Sequence, residues 1–126
     1  MSAIRIMIVD NDQAQMDSVA ATLRKQEDFD VISTVSARET AIKQLSGAPD
    51  IMLLSPEILK GHTLSRFIRS VQTKSAKTRV LYMLSSALPD ESIIADIKIG
   101  IRGHVSVADP PSVMSRAIHS VQGGEI

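Results

Sequence analysis

Short apolar runs alternate along the chain with segments whose apolar residues return every three or four positions. The first run, Ile4–Val9, is rich in β-branched residues, which favours a β-strand. The five predicted strands are Ile4–Val9, Phe29–Val35, Ile51–Leu54, Val80–Leu84 and Arg102–Val107. The third run is apolar at every position, which is typical of a strand buried on both faces of a parallel sheet.

The segments between the runs have the spacing of amphipathic α-helices. In the first, Met16, Val19, Ala20 and Leu23 share one helix face, and Asp12 is placed to cap the N-terminus. The apolar positions of the other four predicted helices are Ala41, Ile42 and Leu45; Leu64, Phe67, Ile68 and Val71; Ile93, Ile94 and Ile97; and Val113, Met114, Ala117, Ile118 and Val121. We expect these positions to lie in the core.

The order of elements is five strand-then-helix units joined by short connections. Because such crossovers are right-handed, the units fold into a parallel sheet covered by helices on both faces. We therefore expect an α/β fold with a doubly wound five-stranded parallel sheet. At 126 residues the chain has the length of one domain, and residues 1–126 are predicted to form a single domain.

Composition narrows the classes of function. The chain has no cysteine, which excludes thiolate catalysis, zinc–thiolate sites and disulfides and favours a cytoplasmic protein. Its 14 basic and 14 acidic residues cancel, so the charge gives no indication of binding to nucleic acid or to a membrane. No apolar run reaches the roughly 20 residues of a membrane span. We expect a soluble domain that binds neither directly.

Polar side chains follow three of the predicted strands. Asp10, Asn11 and Asp12 come after the first strand, Ser55 after the third and Ser85 after the fourth. Because the carboxyl ends of parallel strands meet at one edge of the sheet, we expect these residues to lie together and to form the functional site. Asp10 and Asp12 are equally suited to capping the first helix, and Ser55 to forming a turn.

A small serine hydrolase or transferase is one interpretation of Ser55 or Ser85. A nucleophile elbow needs glycines around the serine, and neither serine has them. Such an enzyme would also need a histidine within hydrogen-bonding reach, for which His104 and His62 are the candidates.

Three segments, taken with the order of elements, resemble the receiver domain of two-component response regulators. They are Ile6–Asp12, Pro49–Ser55 and Ser85–Gly103. The closing segment Ala117–Glu125 is similar to the end of receivers in the LuxR/NarL-type branch of transcription regulators, where a linker and a DNA-binding helix-turn-helix domain normally follow. The resemblance covers essentially the whole chain.

The resemblance implies a phosphorylation site at the carboxyl edge of the sheet, but the residues there depart from the family pattern. The aspartate that accepts a phosphoryl group from a histidine kinase falls at Ser55. The pair of acids that helps to hold Mg²⁺ falls at Asp10 and Asn11, with Asp12 one residue further along. Half of the pair is therefore neutral, and Asp10 and Asp12 are the residues through which a metal ion would still be held.

The resemblance also places the residues that read out phosphorylation. The lysine that contacts the phosphoryl group falls at Val107, so its charge is absent. The hydroxyl that tracks phosphorylation is retained as Ser85, and the aromatic switch position falls at His104. Glu57 lies two residues beyond the lost acceptor, where its carboxylate would supply a permanent negative charge that mimics activation.

Phosphoryl transfer to a carboxylate depends on an oxygen-bound cation and on fixed positive charge. With the acceptor, the lysine and one acid replaced, the resemblance implies a pseudo-receiver. Such a module is not an enzyme, needs no cofactor, and controls transcription through contact with a second copy in a homodimer or with another protein, such as a histidine kinase. The alternative is a receiver that is still phosphorylated, on Ser55 or on a displaced acid, with Mg²⁺ held by Asp10 and Asp12.

Overall fold

The computed structural model describes residues 3–59, 63–85 and 90–124. Its strands are β1 (Ile4–Val9), β2 (Phe29–Val35), β3 (Ile51–Leu54), β4 (Arg79–Leu84) and β5 (Ile101–Ser106). All neighbouring strands are parallel, in the order β2-β1-β3-β4-β5. The predicted doubly wound five-stranded sheet is confirmed, although β5 begins and ends one residue earlier than predicted.

Helices follow the strands in the predicted alternation. They are α1 (Gln13–Arg24), α2 (Arg38–Gln44), α3 (Leu64–Lys74), α4 (Asp90–Ile99) and α5 (Pro111–Gln122). Short 3₁₀ turns at Leu45–Gly47 and Pro56–Leu59 follow α2 and β3. Among the described helices, none has the length and apolar character needed to cross a bilayer.

The central strand β3 separates two hydrophobic cores. Ile51 and Leu53 lie in the core that the sheet shares with α1 and α5. Met52 and Leu54 lie in the core that it shares with α2 and α3. All four side chains are fully buried, and each such burial contributes about 1.5–3 kcal/mol. The expectation that this strand is buried on both faces is confirmed.

Asp50 precedes β3 at the amino edge of the sheet and joins three parts of the chain. Its Oδ2 accepts a hydrogen bond from the Arg5 backbone N–H at 2.9 Å, and its Oδ1 accepts one from Lys77 Nζ at 3.1 Å. Burial alone would raise the pKa of this carboxyl, but the hydrogen bonds and positive charges of Arg5 and Lys77 hold the pKa below its ordinary value. Asp50 therefore has a structural role at the opposite end of the sheet from Ser55.

Two apolar positions expected in the core are exposed, so that part of the prediction is wrong. Ile94 in α4 is 55% exposed and Val113 in α5 is 40% exposed. Isoleucines lie on more than one side of α4, so their spacing does not define a single buried face. Val113 lies about 100° around its helix from the buried Met114, which turns it away from the core. The side chain of Ile93 is outside the described part of the chain.

Candidate functional site

Asp10 and Ser55 follow neighbouring strands at the carboxyl edge of the sheet. Val9 and Leu54 are the last paired residues of β1 and β3. The Ser55 N–H donates to the Val9 carbonyl at 2.9 Å, and the Asp10 N–H donates to the Val35 carbonyl at 3.1 Å. The pairing of β2, β1 and β3 thus continues into the site and places these two residues beside each other, as the order of strands predicts.

The Asp10 carboxylate is buried, with 1% exposure, and both of its oxygens have partners. Its Oδ1 accepts a hydrogen bond from the Asp12 N–H at 3.1 Å, and its Oδ2 accepts one from Gln15 Nε2 at 2.6 Å. Gln15 was not among the predicted site residues. The spacing Asp12-x-x-Gln15 is that of a capping box, which would have drawn attention to it. Here the Gln15 side chain binds Asp10 instead of reaching back to the cap.

Asp12 is the N-cap of α1, as the sequence predicts. Its Oδ1 accepts a hydrogen bond from the Gln15 backbone N–H at 3.0 Å. Such a cap typically contributes about 1 kcal/mol to helix stability. Asn11, between the two acids, is exposed. One acid of the cluster is therefore buried against α1, and the other holds the first turn of that helix.

Ser55 is buried, with 3% exposure, and forms part of a turn. Its Oγ accepts a hydrogen bond from the Glu57 N–H at 3.3 Å, and its carbonyl accepts one from the Ile58 N–H at 3.1 Å. These bonds begin the 3₁₀ turn that follows β3, in the manner of a serine turn. Glu57 itself is exposed.

The three remaining site positions lie on or next to β4 and β5. Ser85 follows β4 directly and is exposed. His104 is exposed and pairs in register with Tyr82, so it lies within β5 rather than at its end. The Val107 N–H donates to the Leu84 carbonyl at 2.9 Å, and the Val107 side chain packs against the core next to α1 and α5. An apolar contact thus occupies the position at which the resemblance expects a lysine.

Neither a protein-family model nor a curated protein matches this sequence. Solved structures match it in three dimensions. The signal receiver domain of the response regulator NarL from Mycobacterium tuberculosis matches with a TM-score of 0.85 at 17% identity, over 99% of this chain and 100% of that one. A LuxR-family two-component response regulator from an Aurantimonas species matches with a TM-score of 0.82 at 18% identity, over 98% and 88%. A chain in the complex of CheY6 with the P1 domain of CheA3 from R. sphaeroides matches with a TM-score of 0.82 at 19% identity, over 98% and 100%.

The chain has the receiver fold. In this receiver fold the carboxyl edge offers few uncommitted oxygen ligands. Both oxygens of Asp10 accept hydrogen bonds, Asp12 caps α1, and Ser55 Oγ accepts from the backbone. Within the described ranges, no group of three or more His, Cys, Asp or Glu side chains could hold a metal ion. A metal ion held by Asp10 or Asp12 would therefore share carboxylate oxygens that already accept hydrogen bonds.

The described part of the chain does not show the serine–histidine contact that a serine hydrolase needs. There, neither Ser55 nor Ser85 hydrogen-bonds to a histidine, and the hydrogen bond at Ser55 Oγ comes from a backbone N–H. His104 lies on β5 with Tyr82 as its neighbour on β4. His62 lies outside the described residues. A serine without an adjacent base stays protonated and weakly nucleophilic.

The proximity of a buried tyrosine on β4 to an acid on α4 was not predicted from the sequence. Tyr82 on β4 is 4% exposed, and the Asp96 carboxylate on α4 lies near its hydroxyl. Burial of the phenol, together with the nearby Asp96 carboxylate, raises the pKa of Tyr82 above its ordinary value. Tyr82 is the only tyrosine of the chain and the only polar side chain in a continuously apolar run, which was the available signal.

Proposed function

We propose that this chain is a receiver-like regulatory module of two-component signalling that is not switched by aspartyl phosphorylation. The observation that carries the proposal is Ser55, which is buried at the end of the central strand, with its Oγ bonded to the backbone of the following turn. The receiver resemblance puts the phosphoacceptor at this position. A buried serine in a turn supplies no carboxylate to accept the phosphoryl group.

The chemistry of the surrounding residues supports this proposal. Phosphoryl transfer depends mainly on positioning and on positive charge that offsets the charge of the transferred oxygens. Val107 contributes an apolar contact where the resemblance expects a lysine. Both oxygens of Asp10 already accept hydrogen bonds, from the Asp12 N–H and the Gln15 side chain, and the Gln15 bond competes with a metal ion for Oδ2. We therefore propose a non-enzymatic domain without a resident cofactor.

The output of such a module is contact with other proteins. Three large apolar side chains are exposed on the helices that flank β5, namely Ile94, Ile99 and Val113, and we propose that they serve a homodimer. CheY6 occurs in complex with the P1 domain of CheA3, and a kinase domain of that kind is a second partner class for this chain. We further propose that the contact controls a transcriptional output, through a DNA-binding domain outside residues 1–126.

Incubation with acetyl phosphate and Mg²⁺, followed by intact mass measurement, tests the proposal. We expect no gain of a phosphoryl group, because the acceptor carboxylate and the fixed positive charge are both replaced. The matched control is a receiver domain that has an aspartate at the phosphoacceptor position, treated in parallel. A gain of one phosphoryl group by this chain would contradict the proposal.

A receiver that is still phosphorylated is the competing function, and the burial of Asp10 at the carboxyl edge is the observation that favours it. It requires Mg²⁺ to displace the Gln15 side chain from Asp10 Oδ2. In an NMR titration with Mg²⁺, this function predicts saturable shifts at the Asp10 and Asp12 amides and at the Gln15 side-chain amide. Our proposal predicts no saturable shift at these groups.

A further inference from the structure

A groove of about 320 Å³ lies between α2 and α3, away from the residues discussed above. Ile42 and the largely buried Phe67 contribute apolar surface to it, one from each helix. Arg38 and Glu39 line it from the first turn of α2, and Arg66 lines it from the first turn of α3. The groove therefore combines apolar surface with three charged side chains.

The charges of the groove do not balance. Arg38 and Glu39 form an ion pair at 3.3 Å, so the one carboxylate of the groove is already engaged. Arg66 is exposed, and in the part of the chain that the structure describes its guanidinium has no hydrogen-bond or ion-pair partner. A cation in the first turn of a helix is also disfavoured by the helix dipole, and α3 has no acid there to offset it. Helix stability thus gives no reason for an arginine at position 66.

We propose that the α2–α3 groove binds a segment of a partner protein that carries a carboxylate next to a large apolar side chain. The carboxylate would pair with Arg66, whose planar guanidinium can bind it through two parallel hydrogen bonds. The apolar side chain would pack on Ile42 and Phe67. This inference rests on the proposed function, in which the module acts by protein contact, and it names one surface and the chemistry of its partner.

Size and charge favour a protein segment over other occupants. The volume lies at the lower end of the range for ligand pockets, about 300–1,000 Å³, which suits individual side chains rather than a whole helix. Glu39 on the rim would repel the closely spaced phosphates of a nucleic acid, whose binding needs clustered cations. The residues that line the groove belong to α2 and α3, whereas the exposed positions assigned to the homodimer belong to α4 and α5. Both contacts can therefore form at once.

Selection of random peptides displayed on phage, with the purified 126-residue chain as the target, tests this inference. We expect the enriched peptides to share an Asp or Glu near a Leu, Phe or Trp. A synthetic peptide of the enriched sequence is then titrated against Arg66→Glu and against Arg69→Glu. Arg69 is exposed on the same helix but does not line the groove, so it is the matched control. We expect Arg66→Glu to weaken binding about tenfold or more and Arg69→Glu to change it less than about twofold.

Two further variants separate the charge from the apolar contact. Ile42→Ser is expected to weaken binding of the same peptide. A cooperative thermal unfolding curve of this variant would show that it is still folded. A peptide with Lys in place of its acid is expected to bind Arg66→Glu more tightly than it binds the unchanged chain. Enrichment of peptides without the acid–apolar pattern, no enrichment at all, or equal effects of Arg66→Glu and Arg69→Glu would overturn the inference. Phosphorylation by acetyl phosphate would overturn the proposed function but leave the peptide result standing.

Discussion

Ser55 and Asp10 follow adjacent strands, yet each side chain is bound by residues just beyond it in the chain. Ser55 Oγ accepts from the Glu57 N–H, and Asp10 accepts from the Asp12 N–H and the Gln15 side chain. Leaving a buried polar group without its partner costs about 1–3 kcal/mol. These local bonds therefore oppose an arrangement in which both side chains turn toward a shared ion.

At the scale of single residues, we predict that Ser55→Asp alone does not make the chain phosphorylatable. The new carboxylate would lie at a buried position beside Asp10, and the positive charge would still be missing at Val107. The loss of one such stabilising group typically costs about 10²–10³-fold in rate. The triple variant Ser55→Asp, Asn11→Asp, Val107→Lys should therefore react with acetyl phosphate and Mg²⁺ at least about a hundredfold faster than Ser55→Asp, as measured by intact mass over time.

The control for this prediction is the same triple variant with Val107→Leu in place of Val107→Lys. Leucine keeps an apolar contact with the core next to α1 and α5 but adds no charge. Equal rates for the two triple variants would contradict the role assigned to the charge at position 107. Equal rates for Ser55→Asp and the lysine triple variant would contradict the prediction as a whole.

At the scale of elements, α4 brings a carboxylate close to the sheet. Asp96 on α4 lies near the hydroxyl of the buried Tyr82 on β4, while Ile94 and Ile99 of the same helix are exposed. The helix therefore directs an acid, rather than these two isoleucines, toward β4.

We predict that the native-state pKa of Tyr82 lies well above the ordinary tyrosine value of about 10 and that Asp96→Asn lowers it. Burial still raises the pKa in Asp96→Asn, so the value should fall only part of the way. Because Tyr82 is the only tyrosine of the chain, tyrosinate absorbance during a pH titration measures this group alone. Asp109→Asn, which changes an acid in the turn after β5, is the control and should leave the titration unchanged.

The same shift determines how stability depends on pH. Above about pH 10 the unfolded chain releases the tyrosine proton while the folded chain retains it. The folded state then binds more protons than the unfolded state, so the free energy of unfolding falls as the pH rises. Below about pH 10 both states keep this proton, and Tyr82 contributes no pH dependence there. A native Tyr82 pKa at the ordinary value would contradict the effect of burial, and a value that Asp96→Asn leaves unchanged would contradict the effect of Asp96.

The elements show which parts of the structure can be predicted from sequence. The strands and the doubly buried Ile51–Leu54 follow from local periodicity, since a run apolar at every position has no exposed face. The exposure of Ile94 does not follow, because the isoleucines of the α4 sequence do not fall on one helix face and their spacing therefore does not indicate which side packs on the sheet. Asp10 and Ser55 were placed at one edge by the order of strands. The Gln15 bond to Asp10 depends on a side-chain direction that spacing does not determine.

At the scale of the whole molecule, the 14 basic and 14 acidic residues cancel. Any preference for a partner must therefore come from individual surface regions rather than from the net charge. The α2–α3 groove offers Arg66 beside apolar surface, and the region flanking β5 offers exposed isoleucine and valine. Since β5 is at the edge of the sheet, an apolar surface around it would also shield unpaired strand groups once it is covered. We therefore propose different partners for the two surfaces: an acidic segment of another protein for the groove, and a second copy of the chain for the exposed apolar side chains of α4 and α5, which we call the β5 side.

We predict that the chain forms a homodimer through the β5 side and that Ile94→Glu weakens it about thirtyfold, as expected for the loss of a central apolar contact worth about 2 kcal/mol. Sedimentation velocity over a range of protein concentrations measures the dissociation constant. Gln44→Glu adds the same charge at an exposed position of α2 and should leave the dimer unchanged, as should Arg66→Glu in the groove. A chain that stays monomeric at every concentration, or a dimer weakened equally by Ile94→Glu and Gln44→Glu, would contradict the assignment of this surface.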